Sequence, residues 1–140
     1  MEYLVRYLDE IVEPTVEEYH RNPLSVRHAF IACVVTFHAI DYLAYPKSSK
    51  GLRQQFGKAS PDFRLVDHVA HAFKHVISGN PGNPNLKSED VVRRKGTFAA
   101  GVFAPLVFDV GAVAISDRPK TNLLRSVKNA VQFLRNYRPA

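Results

Sequence analysis

Histidines are concentrated in one short stretch of the sequence, where their spacing could support acid–base chemistry. At 100° per residue, three of them and an arginine fall within roughly 60° of arc on one helix. This histidine face consists of Arg64, His68, His71 and His75, and it is flanked by Asp67 and Lys74. Imidazole titrates at about pH 6.5 and can both donate and accept protons at working pH. Arg64 or Lys74 could then hold an anionic group such as a phosphate.

The same histidines also allow metal binding. His71 and His75 lie one turn apart, so both could ligate one ion if a third ligand came from another helix. His38 and Asp41, themselves one turn apart on a second predicted helix, are candidates for that role. The alternative metal set is therefore His38, His71 and His75, whereas the acid–base interpretation needs no metal or cofactor. The simplest alternative to both is a polar helix face in contact with water.

Asp41 allows a structural interpretation as well. Its neighbours in the sequence FHAIDYL, residues 37–43, are largely apolar. A carboxylate in such surroundings is usually hydrogen-bonded. We therefore expect Asp41 to take part in a buried polar network with His38 or with a histidine of the fourth predicted helix.

Charge is distributed unevenly along the 140 residues. The whole chain carries a net charge of +6, but residues 1–20 contain six acidic residues and one arginine, for a net of −5. The rest of the chain therefore carries +11. Such a basic surplus favours polyanions such as RNA. It equally allows acidic and basic parts of one fold, or of two subunits, to face each other.

The composition is that of an ordinary globular chain. Apolar residues make up 46% and charged residues 23%, and the length suits one domain, 1–140. We expect no membrane span, because no apolar run approaches roughly 18 residues, and no secretory signal at the N-terminus. Cys33 is the only cysteine, so it cannot form an internal disulfide. We expect it to be buried in a cytoplasmic protein.

Apolar periodicity predicts a helical bundle over residues 1–78. We expect a break near Glu10 in the first helix because Pro14 lacks a backbone donor. Asn22 and Ser60, each followed by proline, read as caps that begin the second and fourth helices, and Gly57 reads as the end of the third. The predicted helices are 2–19, 23–44, 48–56 and 61–77.

A different pattern follows the bundle. Residues 79–96 are predicted to be a loop, since their first part is dense in glycine, asparagine and proline. Short apolar segments at 97–103, 106–110 and 112–116 predict a small antiparallel ribbon within 97–116, with its turn at 109–111. A terminal helix covers 121–137. The expected fold is therefore α+β, mainly α: a helical bundle followed by a small antiparallel β-ribbon and a C-terminal helix.

Two segments on the second and fourth predicted helices resemble known proteins. Residues 37–44, FHAIDYLA, and Asp67 with residues 69–75, VAHAFKH, resemble a group of small uncharacterised bacterial proteins with a C-terminal hairpin and helix. That group is distantly similar to the HEPN superfamily. The resemblance implies a helical bundle that is usually dimeric. For many HEPN proteins it also implies a metal-independent RNase of toxin–antitoxin or defence systems.

The HEPN motif is an arginine followed, after four to six residues, by a histidine, often with Asn, Asp or His directly after the arginine. If His75 is the motif histidine and His71 the polar residue, Ala70 stands at the position of the arginine. Arg64 and His71 also satisfy the motif spacing, but Leu65 follows that arginine. The sequence departs from the family pattern in either alignment.

Three functions follow as expectations. The first is a HEPN-like interaction or RNA-associated module, non-catalytic and with RNA or a protein as partner. The second is an RNase that uses His71 and His75, with Arg64 or Lys74 on the phosphate. The third is the metal-binding bundle. The sequence leaves open whether the protein is an enzyme and whether it forms a homodimer.

Overall fold

A computed structural model describes residues 1–77, 79, 86–95 and 111–139. These residues form a mainly helical α+β fold with a two-stranded antiparallel sheet, as predicted. The helices are α1 (Glu2–Tyr7), α2 (Glu13–Arg21), α3 (Val26–Ala44), α4 (Lys50–Ala59), α5 (Pro61–His75) and α6 (Leu123–Asn136). The strands are β1 (Val91–Lys95) and β2 (Gly111–Ile115).

The first helical segment changes its geometry where the sequence predicts a break. A π-helical turn, Leu8–Val12, joins α1 to α2, and Pro14 lies in the first turn of α2. Because proline has no N–H to donate to the preceding turn, a wider turn at this point accommodates it. The apolar stripe continues through the turn, and its buried members are Leu4, Leu8, Val12, Val16 and Tyr19.

The acidic start of the chain faces basic α6. The Arg135 guanidinium donates to Asp9 at 2.6 Å and to Glu13 at 2.9 Å. The hydrogen bonds that Arg135 donates to Asp9 and Glu13 raise its pKa. Some of the acidic residues at the start of the chain therefore pair with a basic residue of the same fold. The sequence allows this arrangement as well as pairing between two subunits.

Helices α3 and α5 pack against each other at the centre of the bundle, and α6 packs on both. Phe56 of α4 and Phe63 of α5 are fully buried, and their rings meet edge to face with centroids 5.5 Å apart. Phe133 of α6 packs on Phe56 in the same way, at 5.0 Å. Burial of each such side chain contributes roughly 1.5–3 kcal/mol. This aromatic cluster fixes α4 and α6 against α5, the helix that carries the histidine face.

Helix α3 has 19 residues and is long and apolar enough to cross a membrane. No other helix among the described residues meets this criterion. This is weak evidence, because the core helix of a globular protein passes the same test. About 44% of the apolar segment is buried in the fold. The expected absence of a membrane span therefore stays a prediction.

Two residues predicted to mark helix boundaries, Asn22 and Gly57, do not have those roles. Ser25, not Asn22, caps α3, and its hydroxyl accepts the N–H of His28 at 3.2 Å. Asn22 instead ends α2, because the Asn-Pro pair belongs to the turn between the helices. Gly57 does not end α4, which continues to Ala59. Glycine inside a helix costs only about 1 kcal/mol relative to alanine, so packing overrides it.

The cap predicted for the fourth helix is confirmed, and the last helix has a cap of the same kind. The Ser60 hydroxyl accepts the N–H of Phe63 at 3.1 Å, and the Asn122 side chain accepts that of Arg125 at 3.2 Å. Helix α5 ends at His75, two residues earlier than predicted, because Val76 has a φ of 69°. A left-handed β-branched residue cannot continue a right-handed helix.

Strand β1 corrects the predicted loop 79–96. It pairs antiparallel with β2, from Val91 opposite Ile115 to Lys95 opposite Gly111. Its sequence, VVRRK, does not alternate apolar and polar residues and so lacks the usual strand signal. Strand β2 agrees with the predicted segment 112–116. The other predicted strands, 97–103 and 106–110, lie outside the described residues, as does most of the predicted turn 109–111.

Candidate acid–base site

Asp67 is the buried carboxylate of the candidate site. It lies on α5 and is 6% exposed. Arg53 of α4 donates to both of its oxygens, from Nε at 2.8 Å and from Nη2 at 2.9 Å. This two-pronged ion pair compensates the buried charge and fixes the orientation of the carboxylate. In the sequence pattern, Asp67 lies at the edge of the histidine face. In the structure, neighbouring helices cover that edge of α5 and bury Asp67.

His71 lies one turn after Asp67, and the two side chains are in contact. Its Nδ1 is 2.7 Å from Oδ1 of Asp67 and 2.9 Å from the backbone carbonyl oxygen of the same residue. Both neighbours are acceptors, so Nδ1 must carry the proton of the neutral ring. The lone pair of Nε2 is then available to accept a proton, as general base catalysis requires.

His75 places a second imidazole beside the first. The two rings lie nearly parallel, with centroids 6.2 Å apart, and His75 is the exposed last residue of α5. Lys74, also exposed, precedes it. The exposed end of α5 therefore holds two imidazoles and an ammonium group within a short distance.

Phe37 of α3 packs against the side chains of this site. Its ring meets His71 edge to face at 4.8 Å, and the Arg53 guanidinium carbon lies 5.6 Å from its centroid. The same ring is 5.4 Å from that of His38. Phe37 is 9% exposed, so it excludes water from one side of both histidines.

A second histidine–aspartate pair lies on α3. Nδ1 of His38 is 2.9 Å from Oδ2 of Asp41, so Asp41 pairs with His38, but the pair lies at the surface and not in the buried network expected from the sequence. The Ser49 hydroxyl donates to Oδ1 of Asp41 at 2.6 Å. Partial burial would raise the pKa of Asp41, but the hydrogen bonds from His38 and Ser49 outweigh it and lower the pKa. Both side chains of the pair are about half exposed.

The histidine face predicted as one surface is divided in the structure. Arg64 and His68 line a cavity at the start of α5, whereas His71 and His75 do not line it. His68 lines this cavity together with the segment that leads into α6, which sequence periodicity cannot reveal. Burial lowers the pKa of His68, and the charge of Arg64 lowers it further.

The apolar side predicted for α5 is only partly buried. Val66 and Val69 are in the core. Phe73 is 55% exposed, and Val76 and Ile77 are exposed as well. The last turn of α5 extends past the core, where Phe73 meets only the ring of Phe30, at 5.2 Å, among the described aromatic residues. Periodicity correctly assigns the face of each residue but cannot tell where the core ends.

A metal centre was the alternative use of these histidines. In the part of the chain that the structure describes, no three His, Cys, Asp or Glu side chains are grouped closely enough to hold an ion. His38, His71 and His75 are thus not a ready ligand set in this structure. Cys33, by contrast, is buried as expected, and burial raises the pKa of its thiol.

Sequence reasoning missed Arg53. It lies on a separate helix, 14 residues before Asp67, and no periodicity links the two. A buried aspartate requires a cationic or hydrogen-bonding partner, but the sequence places Asp67 beside the polar histidine face, where burial is not expected.

No family model, curated protein or solved structure matches the chain. The resemblance to HEPN proteins therefore stays a prediction, and the function must be argued from the site itself.

Proposed function

We propose that the protein is a HEPN-like, metal-independent RNase in which His71 is the general base and His75 the general acid. The contact between Nδ1 of His71 and Oδ1 of Asp67, at 2.7 Å, carries the proposal. It holds one imidazole in the tautomer that accepts a proton at Nε2. Arg53 positions Asp67, because its Nε and Nη2 are committed to the carboxylate.

The reaction balances with these two residues. Nε2 of His71 removes the proton of an RNA 2′-hydroxyl, and the resulting oxygen attacks the adjacent phosphorus. The bond from phosphorus to the 5′ oxygen breaks, and protonated His75 supplies the proton to that oxygen. The products are a 2′,3′-cyclic phosphate and a free 5′-hydroxyl. The exposed ammonium of Lys74 would offset the charge that develops on the phosphate.

The choice of RNA rests on charge and on mechanism. The chain has a net charge of +6, even though its first 20 residues are acidic. A polyanion with a 2′-hydroxyl supplies its own nucleophile, so the site needs only a base, an acid and a cation. Arg64, the other cation expected on the phosphate, lines a separate cavity with His68 and has no part in this mechanism.

Cleavage of a single-stranded RNA in the presence of EDTA tests the proposal. We expect His71→Gln and His75→Gln each to slow cleavage by about 10²–10⁴-fold. His38→Gln is the matched control, because His38 also pairs with an aspartate, and it should change the rate by less than about threefold. Products should end in a 2′,3′-cyclic phosphate, and a strand with 2′-deoxy residues should stay intact.

Some outcomes would contradict this function. Loss of cleavage in EDTA would point to metal chemistry. Equal losses in His38→Gln and His71→Gln would mean that the Asp67–His71 pair has no special role. An RNA that binds but is never cut would remove the catalytic claim.

The second candidate is the non-catalytic interaction module, and a specific surface favours it. Phe73, Val76 and Ile77 form an exposed apolar group at the end of α5, next to the histidines. Apolar residues grouped in this way are typical of protein contacts. If this group mediates a homodimer, Phe73→Asp should shift the sedimentation of the protein to that of a monomer. Unchanged sedimentation would contradict that assembly.

A further inference from the structure

A cavity of about 820 Å³ lies between the start of α5 and the segment that leads into α6. It is separate from the acid–base site, because neither His71 nor His75 lines it. The charged side chains that line it are the cations Arg64, Arg118, Lys120 and Arg125 and the carboxylates Asp62, Asp90 and Asp117.

The carboxylates of the cavity are already engaged. Asp62 accepts from the side chain of Asn129 at 3.2 Å. Asp90 accepts from the backbone N–H of Lys87 at 3.0 Å and from the hydroxyl of Ser116 at 3.1 Å. Both carboxylates are held by neutral donors and keep their negative charge, so the lining carries four cations against three carboxylates.

The cations are mostly unpaired. Asp117 contacts Arg118 at 3.4 Å. Arg64, Lys120 and Arg125 have no carboxylate partner within residues 1–77, 86–95 and 111–139. Three cationic side chains therefore surround one concave space without a partner for their charge.

The backbone adds to this positive charge. Helices α5 and α6, of 15 and 14 residues, both begin at the cavity, where Pro61 and Asn122 line it. Helix N-termini carry a partial positive charge. On their own these ends would not define a site, but here they point at the space that the side-chain cations surround.

The surroundings of His68 include cations of the cavity. It is half-buried in the wall of the cavity. Burial lowers its pKa, and the charges of Arg64, Arg53 and Arg118 lower it further against the opposing effect of Asp67. Burial is the largest of these causes, and Asp67 opposes the cations, so the preference of the cavity for an anion rests on its side-chain lining and not on this pKa.

We propose that this cavity binds the phosphate monoester group of a small molecule, with Arg64, Lys120 and Arg125 as its cationic partners. A monoester dianion matches several cations in a concave site better than the single charge of a phosphodiester does. Leu65 and Leu86 also line the cavity and offer apolar surface to the remainder of the ligand. This site does not depend on the proposed RNase activity.

Titration of the intact chain, followed by NMR, tests the proposal with three probes at constant ionic strength. The probes are inorganic phosphate, a nucleoside 5′-monophosphate and a dinucleotide that contains only a phosphodiester. We expect saturable binding of the first two, with weak binding of the third. Because a bound anion stabilises imidazolium, the pKa of His68 should rise as the nucleoside monophosphate binds.

Variants locate the binding. Arg64→Gln with Arg125→Gln should weaken binding of the monophosphate by at least about tenfold. Arg27→Gln with Lys58→Gln removes the same charge from exposed positions that do not line the cavity and should change affinity by less than about threefold. Both double variants keep their folds if their far-ultraviolet circular dichroism matches that of the unchanged chain.

Three results would overturn the proposal. The first is equal weakening in the two double variants, which would indicate only a general charge effect. The second is an unchanged His68 pKa at saturation with the monophosphate. The third is a phosphodiester that binds as tightly as the monoester, which would make the cavity a contact for nucleic-acid backbone.

Discussion

The two histidine–aspartate pairs of this protein use the same chemical groups in different surroundings. His38 and Asp41 are about half exposed, and their atoms lie 2.9 Å apart. In the other pair, the side chain of Asp67 is 8% exposed and that of His71 21% exposed, at 2.7 Å. A charged side chain, Arg53, binds the buried carboxylate, whereas the exposed one is bound by the hydroxyl of Ser49.

This difference shows how burial can turn a common contact into one that holds an imidazole in a fixed position. Water competes for the exposed pair and allows it to rearrange, so its energetic contribution is small. The buried carboxylate cannot be left without its partners, and it therefore holds His71 in one orientation. The comparison leads to four predictions, in order of decreasing effect.

Removal of each carboxylate should give the largest contrast. Asp67→Ala leaves Arg53 without its ion-pair partner and His71 without its acceptor, so we expect a loss of about 2–3 kcal/mol in the free energy of unfolding. Asp41→Ala should cost less than about 1 kcal/mol. Urea denaturation of both variants measures the difference, and similar losses would mean that burial does not distinguish the pairs.

Double-mutant cycles should separate the pairs by their interaction energies. We expect a coupling of about 1.5 kcal/mol between His71 and Asp67, and less than about 0.5 kcal/mol between His38 and Asp41. Salt screens exposed charges far more than buried ones. The first coupling should therefore survive at high salt and the second should vanish. A coupling at His71 that is lost in salt would argue against a protected pair.

The exposed pair, His38 and Asp41, should make a pH-dependent contribution to the free energy of unfolding. The pKa of Asp41 is lowered below its ordinary value of 3.8, because His38 and Ser49 bind the carboxylate. Its stabilising effect is therefore present above the unfolded-state pKa and is lost as the pH falls through the folded-state pKa. The excess stability over Asp41→Asn should shrink across that window. An excess that stays constant throughout acid titration would contradict the lowered pKa.

The smallest expected effect is spectroscopic. In neutral His71 the proton should reside on Nδ1, since two acceptors face that atom. Nitrogen-15 chemical shifts of the two ring nitrogens report the tautomer. We expect one tautomer at His71 and a mixture at His38, because water competes at the exposed ring. Nε2 protonation of His71 would remove the basis for its role as a base.

Much of the architecture follows from local patterns in the sequence. Pro14 marks the change of helical geometry, and Ser60 and Asn122 cap the helices that follow them, because caps and proline act on neighbouring backbone groups alone. The acidic start of the chain also finds its partner in Arg135, as charge patterning allows. Strand β1 was not predicted, because its consecutive cations interrupt the alternation of apolar and polar residues that is typical of a strand.

Sequence periodicity correctly placed His68, His71 and His75 along one side of a helix, since that geometry depends only on residue spacing. It could not tell that this side would be divided between a cavity and an acid–base pair. Nor could it tell that Arg53 would bind Asp67 or that Phe73 would lie beyond the core. These properties depend on which helix covers which part of α5, and only the packing of distant segments in three dimensions decides that.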